Sequence, residues 1–426
     1  MSPEIYVEPS GDAPLVWIEV AIRGGAAADP FGLEGLHRHA GLLARRGAGG
    51  RDRATFDDVL DRLGASIDVG VGRDSTTLSA VTLTRNLDQV VELCADVLAA
   101  PGFDPVEHER LRRETPQVLD EIRDDDGSLV TRWFDRECAP GHAYARTALG
   151  TAASLPRLEL ELARATWRRE VVPGNLVIGV AGDVDDAGAR RIAARLLERL
   201  PAGPPPTPPV VDGADPVAGR RLVLVDKPER TQAQLRLGHL GPRYGDPDTP
   251  ALVLLETGFG GMFSSRLMQE IRVRRGWSYG AGCMLRRSRG RHWLEMWMAT
   301  AIDVAGQAVA TTLDQYADVA ARGLSAEETA LARSYLVGSM PFHQATARQR
   351  MQLAVRDAVY GLAAGYTASL PAQVAELGPG DVARAAARWL RPDAVVTVAV
   401  ATAATAADAL GDAGAGPVQV VAHDAY

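Results

Sequence analysis

Between Pro201 and Pro216 the chain reads Pro-Ala-Gly-Pro-Pro-Pro-Thr-Pro-Pro-Val and continues to Asp215-Pro216. Clustered prolines remove backbone donors and fix φ, so neither a helix interior nor a central strand can be built there. The segment reads as a linker, and it cuts 426 residues into nearly equal parts. A chain of this length exceeds what one core usually organises. The expected layout is an N-terminal domain at 1–200, the linker at 201–216 and a C-terminal domain at 217–426.

Both halves repeat one order of elements. In the first, a β-branched run at 14–22 precedes a Gly-punctuated amphipathic helix over 31–46 and a helix at 55–63. Strands at 66–71 and 76–83 and a helix at 87–98 follow. In the second, strands at 221–225 and 232–239 lead to helices at 249–258 and 265–274. Strands near 278–285 and 293–300 and a helix at 304–321 complete the echo. The ends match as well: the apolar runs Asn175–Val184 and Ala394–Val400 each follow a helix, at 159–169 and 379–390. This is a degenerate duplication in element order rather than in residue identity. Strands followed by helices through long connections imply an α+β fold, two homologous α/β sandwich domains whose sheets carry helices packed on one face.

Composition excludes several classes. A formal charge of −8 argues against nonspecific nucleic-acid binding. Cys94, Cys138 and Cys283 are widely spaced with no Cys-x-x-Cys, so neither a disulfide framework nor a thiolate zinc site is indicated, and a reducing cytoplasm fits. The start lacks a basic region followed by an apolar run, and no stretch of about 18 apolar residues occurs, so neither export nor membrane spanning is expected. Gly258-Phe259-Gly260-Gly261 lacks the Lys and Ser/Thr of a phosphate loop and reads as a turn. The basic run Arg286-Arg287-Ser288-Arg289-Gly290-Arg291 reads as a solvated hairpin.

Two histidines, His37 and His39, fall on the helix at 31–46. At about 100° per residue they point roughly 200° apart and cannot share a metal. Glu114 and Glu121, seven apart on a helix over 105–122, lie about 20° out of register, with Pro116 between them to kink the helix.

Several segments carry a family resemblance. They are Gly32-Leu33 through His39, and the helix ending Val118-Leu119-Asp120-Glu121-Ile122. With them go His142-Ala143-Tyr144 before Leu149-Gly150-Thr151, and the strand ending Val180-Ala181-Gly182-Asp183-Val184. The most specific is Gly260-Gly261-Met262-Phe263-Ser264-Ser265-Arg266-Leu267-Met268-Gln269-Glu270-Ile271-Arg272, which runs on to Tyr279 as Arg-x6-Tyr. Over most of both halves the chain resembles the pitrilysin/insulinase family of inverted-motif zinc peptidases. It is most similar to half-length members that pair as two subunits, such as the processing peptidases.

That resemblance implies half of a clamshell. It also implies a His-x-x-Glu-His motif whose slots here hold Gly35, Arg38 and His39, so one of three groups survives. Glu121 matches the distal zinc ligand and Glu114 the supporting acid before it. A zinc site in this chemistry needs three protein ligands, so no metal is expected in this chain and Glu121 is a relic or a structural acid. Arg38 with Glu121 forms a candidate ion pair in place of the metal. Arg272 and Tyr279 match the family's substrate-holding element, the Tyr close to the scissile carbonyl.

The expected function is a non-catalytic, substrate-binding subunit of a heterodimeric zinc metallopeptidase. Zinc sits in a homologous partner, and peptides or leader segments are the substrate. Two alternatives stay open: a scaffold subunit that does not need Arg272 or Tyr279, and an autonomous metallopeptidase using His37, His39 and Glu121.

Overall fold

In the computed structural model, which describes residues 3–209, 211 and 217–425, the chain forms two compact units. The proline-rich segment therefore lies partly outside the described residues. One unit comprises Met1–Leu119, Thr147–Val210 and Pro341–Ala368; the other comprises Asp120–Arg146, Val211–Met340 and Ser369–Tyr426.

The first unit is built on strands β1 (Glu4–Pro9), β2 (Leu15–Arg23), β3 (Ser66–Val71), β4 (Ser75–Leu83) and β5 (Leu176–Gly182), in spatial order β1-β5-β2-β4-β3. Only β1 and β5 run parallel. Its helices are α1 (Leu36–Arg45), α2 (Arg53–Leu63), α3 (Leu87–Ala99), most of α4 (Pro105–Asp124), α6 (Leu160–Glu170), α7 (Asp186–Leu197) and α11 (Ala347–Val359), with α5 (Asp126–Cys138) belonging to the other unit.

Strand alternation sets the layers. Val16, Ile18, Val20 and Ile22 of β2 join Leu176, Ile178 and Val180 of β5 in a large core with α1, α3 and α7. The opposite face of the same strands, Ala21, Val177 and Ala181, packs on Met351, Val355 and Val359 of α11. Because both faces of β5 are covered, every residue in it is buried. A Cβ on Gly179 would stand 2.3 Å from Met351 Sδ and 2.7 Å from Val355 Cγ2, so α11 rests on the sheet where glycine leaves room.

The second unit repeats this plan. Its strands are β6 (Arg221–Asp226), β7 (Gln232–Arg243), β8 (Ala281–Leu285), β9 (Arg291–Ala301), β10 (Val396–Ala401) and β11 (Val418–Ala422), in order β11-β6-β10-β7-β9-β8. The parallel pair β6 and β10, and the antiparallel β10-β7-β9-β8 series, match the first sheet strand for strand, with β11 added on the far side of β6. Helices α8 (Thr249–Glu256), α9 (Ile302–Arg322), α10 (Ala326–Ser339), α13 (Pro379–Trp389) and α14 (Ala403–Gly411) belong to this unit, and α12 (Tyr366–Ala375) ends in it. Helix α5 lies across β7 and β10, as α11 lies across β1, β5 and β2. Each sheet is thus roofed by a helix contributed from the other half of the sequence. Among the described residues no helix is long and apolar enough to cross a membrane.

Candidate functional site

Helix α1 begins at Leu36, not at Phe31, and the reason is Gly35. This residue is the helix N-cap in the left-handed region, φ 93°, and a Cβ on it would stand 3.0 Å from both N and Cα of Gly150. The Leu149-Gly150 backbone closes on the helix start there, and Ser154 donates its hydroxyl to the Glu34 carbonyl at 2.8 Å. The missing first ligand is therefore built into the backbone. Only glycine suits this conformation and this spacing.

The helix start is held by Asp29. Its carboxylate accepts the Gly35 and His37 backbone N–H groups at 2.8 and 2.9 Å, as a capping acid does, and also meets His37 Nδ1 at 2.6 Å. On the other side of the ring, His37 Nε2 stands 3.6 Å from Glu170 Oε1. Burial disfavours the imidazolium, but the hydrogen bonds and charges of Asp29 and Glu170 outweigh it and push His37 up to about 9. His37 is a buried cation between two acids, turned away from His39 as its helical position predicts.

His39 meets a different partner. Its Nε2 lies 2.8 Å from His108 Nδ1 of α4, with the rings perpendicular. One nitrogen must donate and the other accept, so the two rings cannot both be protonated. Burial first, then His108 and the nearby arginines, push His39 down to about 3, and burial lowers His108.

Glu114 is occupied as well: Arg46 contacts it at 2.5 Å and Glu107 at 3.2 Å. The Arg46 hydrogen bond holds the Glu114 carboxyl below its usual range. Arg38, half-buried next to Arg46, adds a second guanidinium where the motif requires a base. α4 runs unbroken through Pro116, and Glu121 lies in the second unit.

These residues do not fit a zinc ion. Gly35 offers no ligand, Arg38 repels a cation, His39 Nε2 is committed to His108, and Glu114 to Arg46. Nor do His37 and His39 supply one metal, as the autonomous-peptidase alternative requires, since His37 lies between Asp29 and Glu170 while His39 Nε2 is engaged with His108. Among the described residues no group of three His, Cys, Asp or Glu side chains is arranged to hold a metal ion.

The second unit shows an open site. Arg272 lies on a π-helical segment, Met268–Arg274, which ends where Trp277 N–H donates to the Ile271 carbonyl. Arg266, just before it, is forked onto Glu328 at 2.7 and 2.5 Å and reaches Asp318 at 2.9 Å, which anchors the segment to α9 and α10. Glu270 takes Arg274 and Arg275 at 3.1 and 2.7 Å. Arg272 forms no ion pair among the described residues. Its guanidinium instead stands 4.5 Å from the Tyr279 ring and 5.0 Å from the Phe263 ring.

Tyr279 lies in the loop before β8, not in the strand expected there, and is 88% exposed. Ser278 shapes that loop by donating to the Gly280 carbonyl at 2.6 Å and accepting the Gly280 N–H at 3.2 Å. Arg272 and Tyr279 line one cleft of about 540 Å³, with Trp277, Trp297, Arg236 and Gln234 among its other walls. The sequence pattern pairs Arg272 with Tyr279. It does not reveal Arg236 and Trp297, which reach the cleft because β7 and β9 pair them directly across the sheet.

Comparison with known proteins matches two models of one family to this chain. Residues 6–151 match the family model described as insulinase, peptidase family M16, and residues 158–336 match the model described as the peptidase M16 inactive domain. An uncharacterized zinc protease of Streptomyces coelicolor is 27% identical over 62% of this chain, and the match spans 57% of that protein's length. The non-peptidase homolog YmxG of Helicobacter pylori is 21% identical over 89% of this chain and 87% of its own. A peptidase M16 inactive domain from Pseudomonas fluorescens superposes with a TM-score of 0.88 at 23% identity, covering 94% of this chain and 95% of that one, which shows a shared fold. The chain belongs to the pitrilysin/insulinase family, peptidase family M16, and its inverted zinc motif is degenerate.

Proposed function

We propose that this chain is the non-catalytic, substrate-binding subunit of a two-subunit zinc metallopeptidase that acts in the cytoplasm on peptides or leader segments in a closed chamber. The observation that carries the reading is a contrast between the two units. In the first unit Gly35 and Arg38 offer zinc no ligand, and His39 and Glu114 are committed to His108 and Arg46, while in the second Arg272 and Tyr279 stand open in a cleft.

A homologous partner with an intact His-x-x-Glu-His supplies the metal, which activates water and polarises the scissile carbonyl. This chain contributes two groups. The Tyr279 hydroxyl donates to the oxygen that gains charge as the carbonyl is attacked, and the Arg272 guanidinium holds a backbone carbonyl or carboxylate of the peptide. Stacking on Phe263 and Tyr279 fixes the guanidinium plane before substrate arrives, which lowers the entropy lost on binding.

Alanine at 272 and phenylalanine at 279, each in the reconstituted complex, test the assignment. A lost oxyanion donor costs on the order of 10²-fold in kcat, so Tyr279→Phe is expected to lower kcat and Arg272→Ala to raise KM. Unchanged turnover in both variants favours a scaffold subunit instead.

A further inference from the structure

The charges around the Arg272 cleft are unequal. Two arginines, Arg236 and Arg272, line it, and no Asp or Glu does. The acids on the elements that form the cleft are each held by a cation, Glu295 in part by Arg236 of the cleft itself. Glu295, fully buried, meets Arg236 at 2.8 Å and Arg286 at 2.6 Å; Asp126 meets Lys227 at 2.6 Å; Glu270 meets Arg274 and Arg275. Arg272 alone brings a charge with no carboxylate against it among the described residues. The remaining walls are Trp277, Trp297 and Tyr279, with Gln232 and Gln234 on β7 offering amides. With Arg236 balanced by Glu295, a peptide lysine or arginine would set a second uncompensated cation beside Arg272, whereas a carboxylate would complete the charge balance.

We infer that this cleft is a specificity site selecting extended peptides that present an acidic side chain beside an aromatic or apolar one, and discriminating against basic segments. The inference rests on the peptide-binding reading above and names the substrate class of that site. Arg272 supplies the charge, and Trp297, 38% exposed on the floor formed by β9, supplies the apolar contact. Arg236 is half spent on Glu295 and orients the amide and carboxylate end of the ligand.

The experiment uses the full chain and three fluorescein-labelled dodecapeptides of one sequence, with Glu-Glu, Gln-Gln or Lys-Lys beside a central Phe, read by fluorescence polarisation. The acidic peptide is expected to bind about tenfold more tightly than the basic one at low salt, with the gap closing as ionic strength rises. Arg272→Gln should abolish the discrimination, and Arg272→Lys should retain it, because charge rather than shape sets the sign. Trp297→Ala should weaken all three peptides alike. Equal or tighter binding of the basic peptide overturns the specificity while leaving peptide binding standing. Failure of all three to bind overturns the peptide-binding reading and the specificity with it.

Discussion

Restoring the two missing motif groups, Gly35→His with Arg38→Glu, should not restore a metal site. It should cost stability instead. Gly35 is held at φ 93°, where an L side chain loses about 1–2 kcal/mol relative to glycine. The new Cβ would also stand 3.0 Å from Gly150 N and Cα and 3.1 Å from the Leu149 carbonyl carbon, all backbone atoms that yield only by moving the loop. Overpacking of that kind adds about 1–3 kcal/mol. The sum, roughly 2–5 kcal/mol, lowers the melting temperature by about 5–15 °C for a unit of this size. Arg38→Glu alone carries neither penalty and serves as the control. Thermal melts by circular dichroism and elemental analysis of the purified double variant provide the readouts. A variant that melts with the parent and holds one zinc per chain would refute the reasoning, because it would mean that the loop yields freely and that His39 leaves His108 for a metal.

Two further outcomes follow from the first unit. His37 is raised to about 9 against an ordinary 6.5, so the folded state binds its proton more tightly than the unfolded chain does. The stabilisation, roughly 3 kcal/mol, is complete below pH 6.5 and is lost as pH rises through 9. Urea melts of parent and His37→Gln should therefore differ most at pH 6 and converge by pH 9.5, and a gap independent of pH contradicts the buried-cation assignment. Gly179→Ala should cost about 1–3 kcal/mol by pressing on Met351 and Val355. Combined with Met351→Ala it should cost about 1 kcal/mol less than the sum of the single changes; strict additivity would show that α11 does not rest on that glycine.

Much of the architecture is legible in the sequence where burial is one-sided. β4, Ser75–Leu83, alternates buried and half-buried positions along its whole length, and its span is expected from the sequence to within a residue. The duplication is legible for the same reason, since element order survives when residue identity does not. The roofing helices α5 and α11 are not. α11 reads Ala-Arg-Gln-Arg-Met-Gln-Leu-Ala-Val-Arg-Asp-Ala-Val, and its buried stripe of Met351, Val355 and Val359 is hidden among charges. Its partner strands are more than 150 residues away, so no local signal shows that they need a second cover.

In the candidate sites, residue types and spacing are legible, but partners are not. Helical periodicity separates His37 from His39 correctly, yet it cannot find Asp29 and Glu170 around one or His108 beside the other, because those contacts depend on how the chain folds back. The start of α1 differs from expectation because a run of helix-compatible residues is interrupted by Gly35 in a left-handed conformation. On α4 the partner of Glu107 and Glu114 is Arg46, which no motif spacing singles out. At the Arg272 cleft, Tyr279 is more exposed than a sheet residue because the strand starts two residues later, at Ala281.

The division of labour between a gripping chain and a cutting chain is tested most directly by measuring cleavage of an unstructured peptide library in three preparations: this chain, a zinc-bearing homologue from the same cell, and the two together. Turnover in the mixture, with none from this chain alone and a large loss when Arg272 and Tyr279 are both replaced, is the predicted result. Peptide cleavage by this chain alone, with zinc at one equivalent, would contradict it.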